Sequence, residues 1–238
     1  MKFSMLVGLI AFSVGLSCCG QDRELSGRDG LGVIATLAPK STPGLLGESE
    51  DRRIWAGGAK VQRRLLSDRN VRLSYEAGIM PLFEESDPVL VGEIVPIGTP
   101  SVTYFSPPYR PITADGTPLG VLLPGGPVLP VYGARERTFG FAATPLGVRL
   151  NLLNRFPVQP SLACDLGFVY SSRDVPIDYS SQFNFTVTFG PGVEIFTSSH
   201  NSVLLEYMFQ HMSNGGLGQN NPAVDSYTIR VSLSHYRH

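Results

Sequence analysis

The 238 residues carry 19 Lys and Arg against 20 Asp and Glu, a formal net charge of -1, with only 16% charged residues, 26 Gly and 19 Pro. That length suits one domain, or one domain with a large insertion. The cations are scattered and form no stripe for phosphate contacts, which sets nucleic acid aside as a partner.

The opening stretch, "MKFSMLVGLIAFSVGLSCCG", places Lys2 before an apolar run from Met5 to Leu16 and small residues after it. This layout predicts a secretory signal peptide over 1–20 and a mature domain over 21–238; the run is short for a membrane helix. A buried N-terminal helix is the competing reading, opposed by the polar "QDRELSGRDG" that follows. Cys18 and Cys19 raise lipidation as a question, but if Cys19 is the acceptor, Cys18 fills the position that wants a small residue. Cys164 stands alone farther on, so neither a disulfide framework nor a thiol-rich metal site is expected.

Beyond that stretch, apolar and polar residues alternate. In "NVRLSYEAGI", Val71, Leu73, Tyr75, Ala77 and Ile79 interleave with polar or small residues, and in "QFNFTVTF", Phe183, Phe185, Val187 and Phe189 do the same. A period of two marks strands with one apolar and one polar face. Such segments recur near 28–38, 51–65, 69–82, 136–150, 157–171, 182–197, 201–213 and 224–236. Several are long enough to cross a bilayer at a tilt. Two architectures bury strands of this kind: a soluble barrel or sandwich, and a membrane barrel with its apolar faces toward lipid. The faces opposite the apolar ones carry small polar groups such as Ser226, Thr228, Ser232 and Ser234, which suit a packed lumen better than a water-exposed wall. The expected fold is all-β, an eight-stranded antiparallel outer-membrane β-barrel. A Pro/Gly-rich stretch at about 83–135 interrupts the rhythm and predicts a long insertion, either an ordered extracellular loop or a disordered excursion, or else a lid or substrate-contacting loop.

Near the end of the chain, "FQHMSNGGLGQNNPAVDSY" puts His211 and Ser213 on the apolar face of one strand and Asp225 on the apolar face of the next. Pairing of the two strands brings all three to one end of a hairpin. Residues two apart lie about 6.5 to 7 Å apart along a strand, within reach of a serine to histidine hydrogen bond after tilting. Serine needs a base to become a nucleophile, and the base needs an acid to fix its tautomer. The same residues also read as ordinary polar groups at a water interface, with Asp225 capping a turn.

The stretch "HMSNGGLGQNNPAVD" resembles the C-terminal motif of the lipid A 3-O-deacylase family, the PagL-like outer-membrane esterases, also labelled acyloxyacyl hydrolases. "FGFAATPLGVRLNLLNRFPVQPSLACDLGFVY" and "QFNFTVTFGPGVEIF" are similar to that family's middle strands. The likeness runs over about Thr138 to Tyr236. It implies His211 as general base, Ser213 as nucleophile and Asp225 as the orienting acid, where better-known members carry glutamate. It further implies Asn214, with backbone N–H groups of Gly215 or Gly216, as stabilisers of the oxyanion. Tyr207, Phe209, Tyr227 and Ile229 would form the wall along which a substrate acyl chain lies. Ala223 departs from the usual glycine after Asn221-Pro222, and the chain closes on "HYRH" rather than on an aromatic residue.

The function implied is 3-O-deacylation of lipid A by a serine esterase in the bacterial outer membrane. The expected partners are lipid A or lipopolysaccharide as substrate and the membrane itself, with a homodimer left open. No cofactor and no metal are expected; His200, His235 and His238 read as turn and terminal residues. Three alternatives remain at this point: a non-catalytic barrel, structural or a small channel; a different envelope lipase or acyltransferase, such as a phospholipid-directed envelope lipase with the same triad; and a soluble lipocalin-like binder.

Overall fold

The computed structural model describes residues 27–94, 104–105, 110–112 and 128–237. The expected signal peptide, Cys18, Cys19 and His238 lie outside these residues. The elements are β1 (Asp29–Ala38), β2 (Arg53–Ser67), β3 (Val71–Ile94), β4 (Tyr104–Phe105), β5 (Val128–Leu152), β6 (Val158–Val175), β7 (Ser181–Phe196), β8 (Asn201–Ser213) and β9 (Val224–Arg237). Each long strand pairs antiparallel with its neighbours. The ring closes through β1 with β9 and β2 with β3, and the two-residue β4 adds only to the far end of β3. The result is a closed eight-stranded barrel, as the alternation predicts. Closure removes sheet edges and pairs the backbone polar groups that lipid could not satisfy.

The two faces of the wall are chemically opposite. Along β9, Tyr227, Ile229, Val231 and Leu233 face outward and stand exposed, while Ser226, Thr228, Arg230, Ser232 and Ser234 are buried inside. Leu31, Val33 and Leu37 continue the outer surface on β1, and Phe185, Val187 and Phe189 on β7. An apolar surface that runs around the ring far exceeds the patches a water-soluble monomer exposes, so lipid is its solvent. Among the described residues no helix is long and apolar enough to cross a membrane; the strands make the crossing.

The lumen filling includes an apolar layer and an ionic layer, with a further buried ionic group, Arg52 with Asp87, at the mouth. Toward the end that carries the longer connections, Ile34, Ile54, Phe83, Val169, Met212 and Val224 belong to one apolar cluster. Toward the other end lies an ionic layer. Arg149 grips Glu76 with two nitrogens, Nε at 2.8 Å and Nη2 at 2.7 Å, and reaches Glu206 with Nη1 at 2.9 Å. Lys60 donates to the same Glu76, and Arg230 pairs with Asp165. Between the layers a void of about 30 Å³ leaves room for about one water.

The insertion is shorter than the sequence suggests. β3 runs on to Ile94 and β5 begins at Val128, and the two stay paired as far as Ile94 with Val128, so 83–94 and 128–135 are paired strand rather than loop. Pro88 and Pro130 sit inside this pairing, opposite Arg135 and Gly92. They fit because β2 leaves β3 at Ser86 and β6 joins β5 only from Gly140. Above that height the hairpin is a ribbon whose edges are open apart from β4 at the tip of β3, and on an open edge a missing N–H costs no ladder bond. A described piece of the insertion is tied back to the barrel mouth: Arg110 donates to Asp174 O and to Asp178 Oδ1, each at 2.6 Å, and Glu50 N donates to Ile112 O at 2.7 Å.

Candidate active site

The β8–β9 hairpin brings His211 and Asp225 together as direct cross-strand partners. Directly opposed residues hold their Cβ atoms about 4.5–5.5 Å apart. An aspartate is therefore long enough: Nδ1 of His211 lies 2.7 Å from Oδ1 of Asp225. A carboxylate only accepts, so Nδ1 is the donor in this contact and Nε2 is the nitrogen turned away from Asp225. The imidazole is partly open, at 17% exposure, and the carboxylate is 2% exposed.

Ser213 follows two residues on, at the last position of β8 and opposite Phe185 of β7. Its hydroxyl does not donate to His211, as the spacing suggests it would; it donates to Asn221 Oδ1 at 3.1 Å. Asn221 Oδ1 also accepts the Asn214 N–H at 3.2 Å, so one amide oxygen ties both sides of the turn. The serine needs only a rotation about its Cα–Cβ bond to leave that acceptor.

The turn from Asn214 to Ala223 is built by specific backbone choices. Gly215 and Gly216 hold φ of 63° and 84°, the left-handed region that glycine occupies without strain. Asn214 is a buried brace: its Nδ2 donates to Asn220 O at 2.7 Å and its Oδ1 accepts from Gly216 N at 2.8 Å. Of the three groups expected to hold an oxyanion, two are thus occupied with each other. The Gly215 N–H instead points at Ser213 Oγ, 3.3 Å away. Ala223 takes a φ of 50° where glycine is usual, so the departure noted in the sequence is a local strain.

Residues 131–234 match the family model described as Lipid A 3-O-deacylase (PagL). The second half of this chain resembles the lipid A 3-O-deacylases. The match takes in most of the β8–β9 hairpin, with His211, Ser213 and Asp225, and leaves out β1 to β4. No curated protein matches the sequence. Solved structures similar to it include the outer membrane enzyme PagL, at 15% identity and a TM-score of 0.44, covering 84% of this chain and 97% of that one. Neisserial surface protein A, at 11% identity and 0.43, covers 88% and 97%. The outer membrane protein OprG from Pseudomonas aeruginosa, at 12% and 0.42, covers 90% and 97%. With its lipid-facing belt and this family resemblance, the chain is a barrel of the bacterial outer membrane.

The deacylase-like hairpin continues below the site into an aromatic wall. Tyr207 and Tyr227 stack with ring centroids 5.6 Å apart and planes 3° apart, and Phe209 meets Tyr227 edge-on at 5.8 Å. Ile229 follows on the same outward face of β9, opposite Leu37 of β1. Phe189 adds a ring 5.3 Å from Phe209; the alternation of "QFNFTVTF" carries the signal for it. His235 lies near the end of β9, within the strand expected at 224–236, and stacks on His200 of the β7–β8 turn at 6.0 Å. Among the described residues no three His, Cys, Asp or Glu side chains are arranged to hold a metal ion.

Proposed function

We propose that this barrel is an outer-membrane esterase that removes an ester-linked acyl chain from lipid A, at the 3-O position, with Ser213, His211 and Asp225 as its triad. The observation that carries the reading is the 2.7 Å contact from His211 Nδ1 to Asp225 Oδ1 on the lipid-facing wall, with a serine one step above it on the same face. Barrels of this class keep longer loops outside the cell and short turns in the periplasm. The hairpin turn therefore faces outward, where the outer leaflet carries its acyl esters.

The acyl chain lies along Tyr207, Phe209, Tyr227 and Ile229, and its ester carbonyl meets Ser213 at the headgroup boundary. Ser213 turns from Asn221 to His211 Nε2, gives up its proton and attacks the carbonyl carbon. The N–H of Gly215 is the nearest donor for the oxyanion that forms, with Asn214 and Gly216 holding the turn that aims it. His211, now charged beside Asp225, returns the proton to the departing sugar hydroxyl. A water molecule, deprotonated by His211, then releases the fatty acid from the acylated Ser213.

Mass spectrometry of lipid A from Gram-negative cells making the intact protein or its Ser213→Ala variant, inserted to the same level, tests this. Loss of one ester-linked hydroxyacyl chain with the intact protein alone is expected. Unchanged lipid A in both would contradict the reading, and release of fatty acid from phospholipid instead would make the barrel a phospholipid-directed lipase.

A further inference from the structure

Asp225 belongs by parity to the same outward face as Tyr227 and Ile229, which are about half exposed, yet it is 2% exposed. What covers it is the connection between β1 and β2. Thr42 N donates to Asp225 O at 3.2 Å, Leu46 N to Asp225 Oδ2 at 2.9 Å, Glu48 N to Pro222 O at 2.7 Å and Ser49 N to Ala223 O at 3.2 Å. This strap presses so closely that a Cβ on Gly44 would fall 2.4 Å from Asp225 Oδ2, and one on Gly47 2.6 Å from Asp225 N. Only glycine fits at those two points.

The strap thus delivers the second hydrogen bond of the triad carboxylate from a main-chain donor, and it does so with two leucines at its tip. Gly44 N donates to Gly47 O at 3.0 Å, closing a tip whose central residues are Leu45 and Leu46, 84% and 66% exposed. Connections of this kind ordinarily carry polar residues, because water surrounds them. Two adjacent exposed leucines, fixed beside a catalytic carboxylate at the upper edge of a lipid-facing belt, are suited to an acyl chain.

We infer that the β1–β2 strap is the acyl-selecting element of the site, with Leu45 and Leu46 gripping an acyl chain of the lipid substrate beside the triad. The inference rests on the ester hydrolysis proposed above and adds to it the residues that favour long apolar chains. Leu46 thereby serves twice, its N–H as a positioning group for Asp225 and its side chain as part of the grip.

The test uses the full-length barrel in detergent micelles with p-nitrophenyl palmitate and p-nitrophenyl butyrate. The double variant Leu45→Ser, Leu46→Ser keeps the strap's backbone donors and removes its apolar tip. The ratio of kcat/KM for palmitate over butyrate should fall about tenfold or more, mainly through KM for palmitate, in line with loss of apolar contact area. Leu45→Ser alone, at the more exposed position, should show the same change in smaller measure and guards against misfolding of the double variant. Gly47→Ala, which forces the strap off Asp225, should instead lower kcat on both esters. A palmitate-to-butyrate ratio equal to that of the unaltered protein in both leucine variants would overturn this inference and leave the triad standing. Failure of the unaltered protein to hydrolyse either ester would overturn the triad reading and this one together.

Discussion

The β8–β9 hairpin carries two cross-strand pairs of opposite character on its two faces. On the lumen side Glu206 stands opposite Arg230, and on the lipid side His211 stands opposite Asp225. The pairing device is the same, a polar or charged partner directly across the ladder. The surroundings differ. Glu206 is also held by Arg149, which itself grips Glu76, so the lumen charges lock four strands to one another. His211 uses one nitrogen on Asp225 and keeps the other without a protein donor among the described residues, next to a serine held only by the exposed Asn221 amide and the Gly215 N–H. Inside, the pair is absorbed into a rigid filling; outside, half of the pair is left available for chemistry.

That contrast is broken most severely by Ser213→Ala. Acyl release should drop by about a thousandfold or more, with barrel assembly unchanged, as judged by the heat-dependent gel mobility of the folded form. Asp225→Asn comes next: it keeps the shape but removes the charge that stabilises protonated His211, so kcat should fall about a hundred- to ten-thousandfold in a steady-state ester assay. On the lumen side, Arg149→Met should leave the site's kcat in place while costing about 3–5 kcal/mol of stability, since it strips a partner from two buried carboxylates. Urea titration in lipid vesicles measures that loss. The smallest effect is expected at Ala223→Gly, which relieves a positive φ in a non-glycine residue and should raise stability by about 1 kcal/mol in the same titration.

Much of the barrel is legible in the sequence, because alternation reports directly on a wall with lipid on one side. The strands β1, β2 and β6 to β9 fall within a few residues of their expected bounds. The β3–β5 ribbon is not legible, because Pro88 and Pro130 signal loop to any reader who assumes a neighbour on both sides. The His211–Asp225 pair can be read from parity and a shared turn. Its strap cannot: Leu46 and Asp225 are 179 residues apart, joined only because β1 and β9 close the ring. The hydrogen bond from Ser213 to Asn221 escapes for a different reason, since a turn's side-chain acceptors follow from its backbone path and not from strand periodicity. The lumen network is half legible: Arg230 and Glu206 fall on inward faces, but their partners depend on ring closure and register.

The most direct test of the central claim, that Ser213 is an activated nucleophile, is intact-protein and peptide mass spectrometry after treatment of the folded barrel with a fluorophosphonate. The account predicts a single adduct on the peptide containing Ser213, abolished by His211→Ala and by unfolding. An unmodified Ser213 in a folded barrel, or an adduct formed equally well without His211, would contradict it.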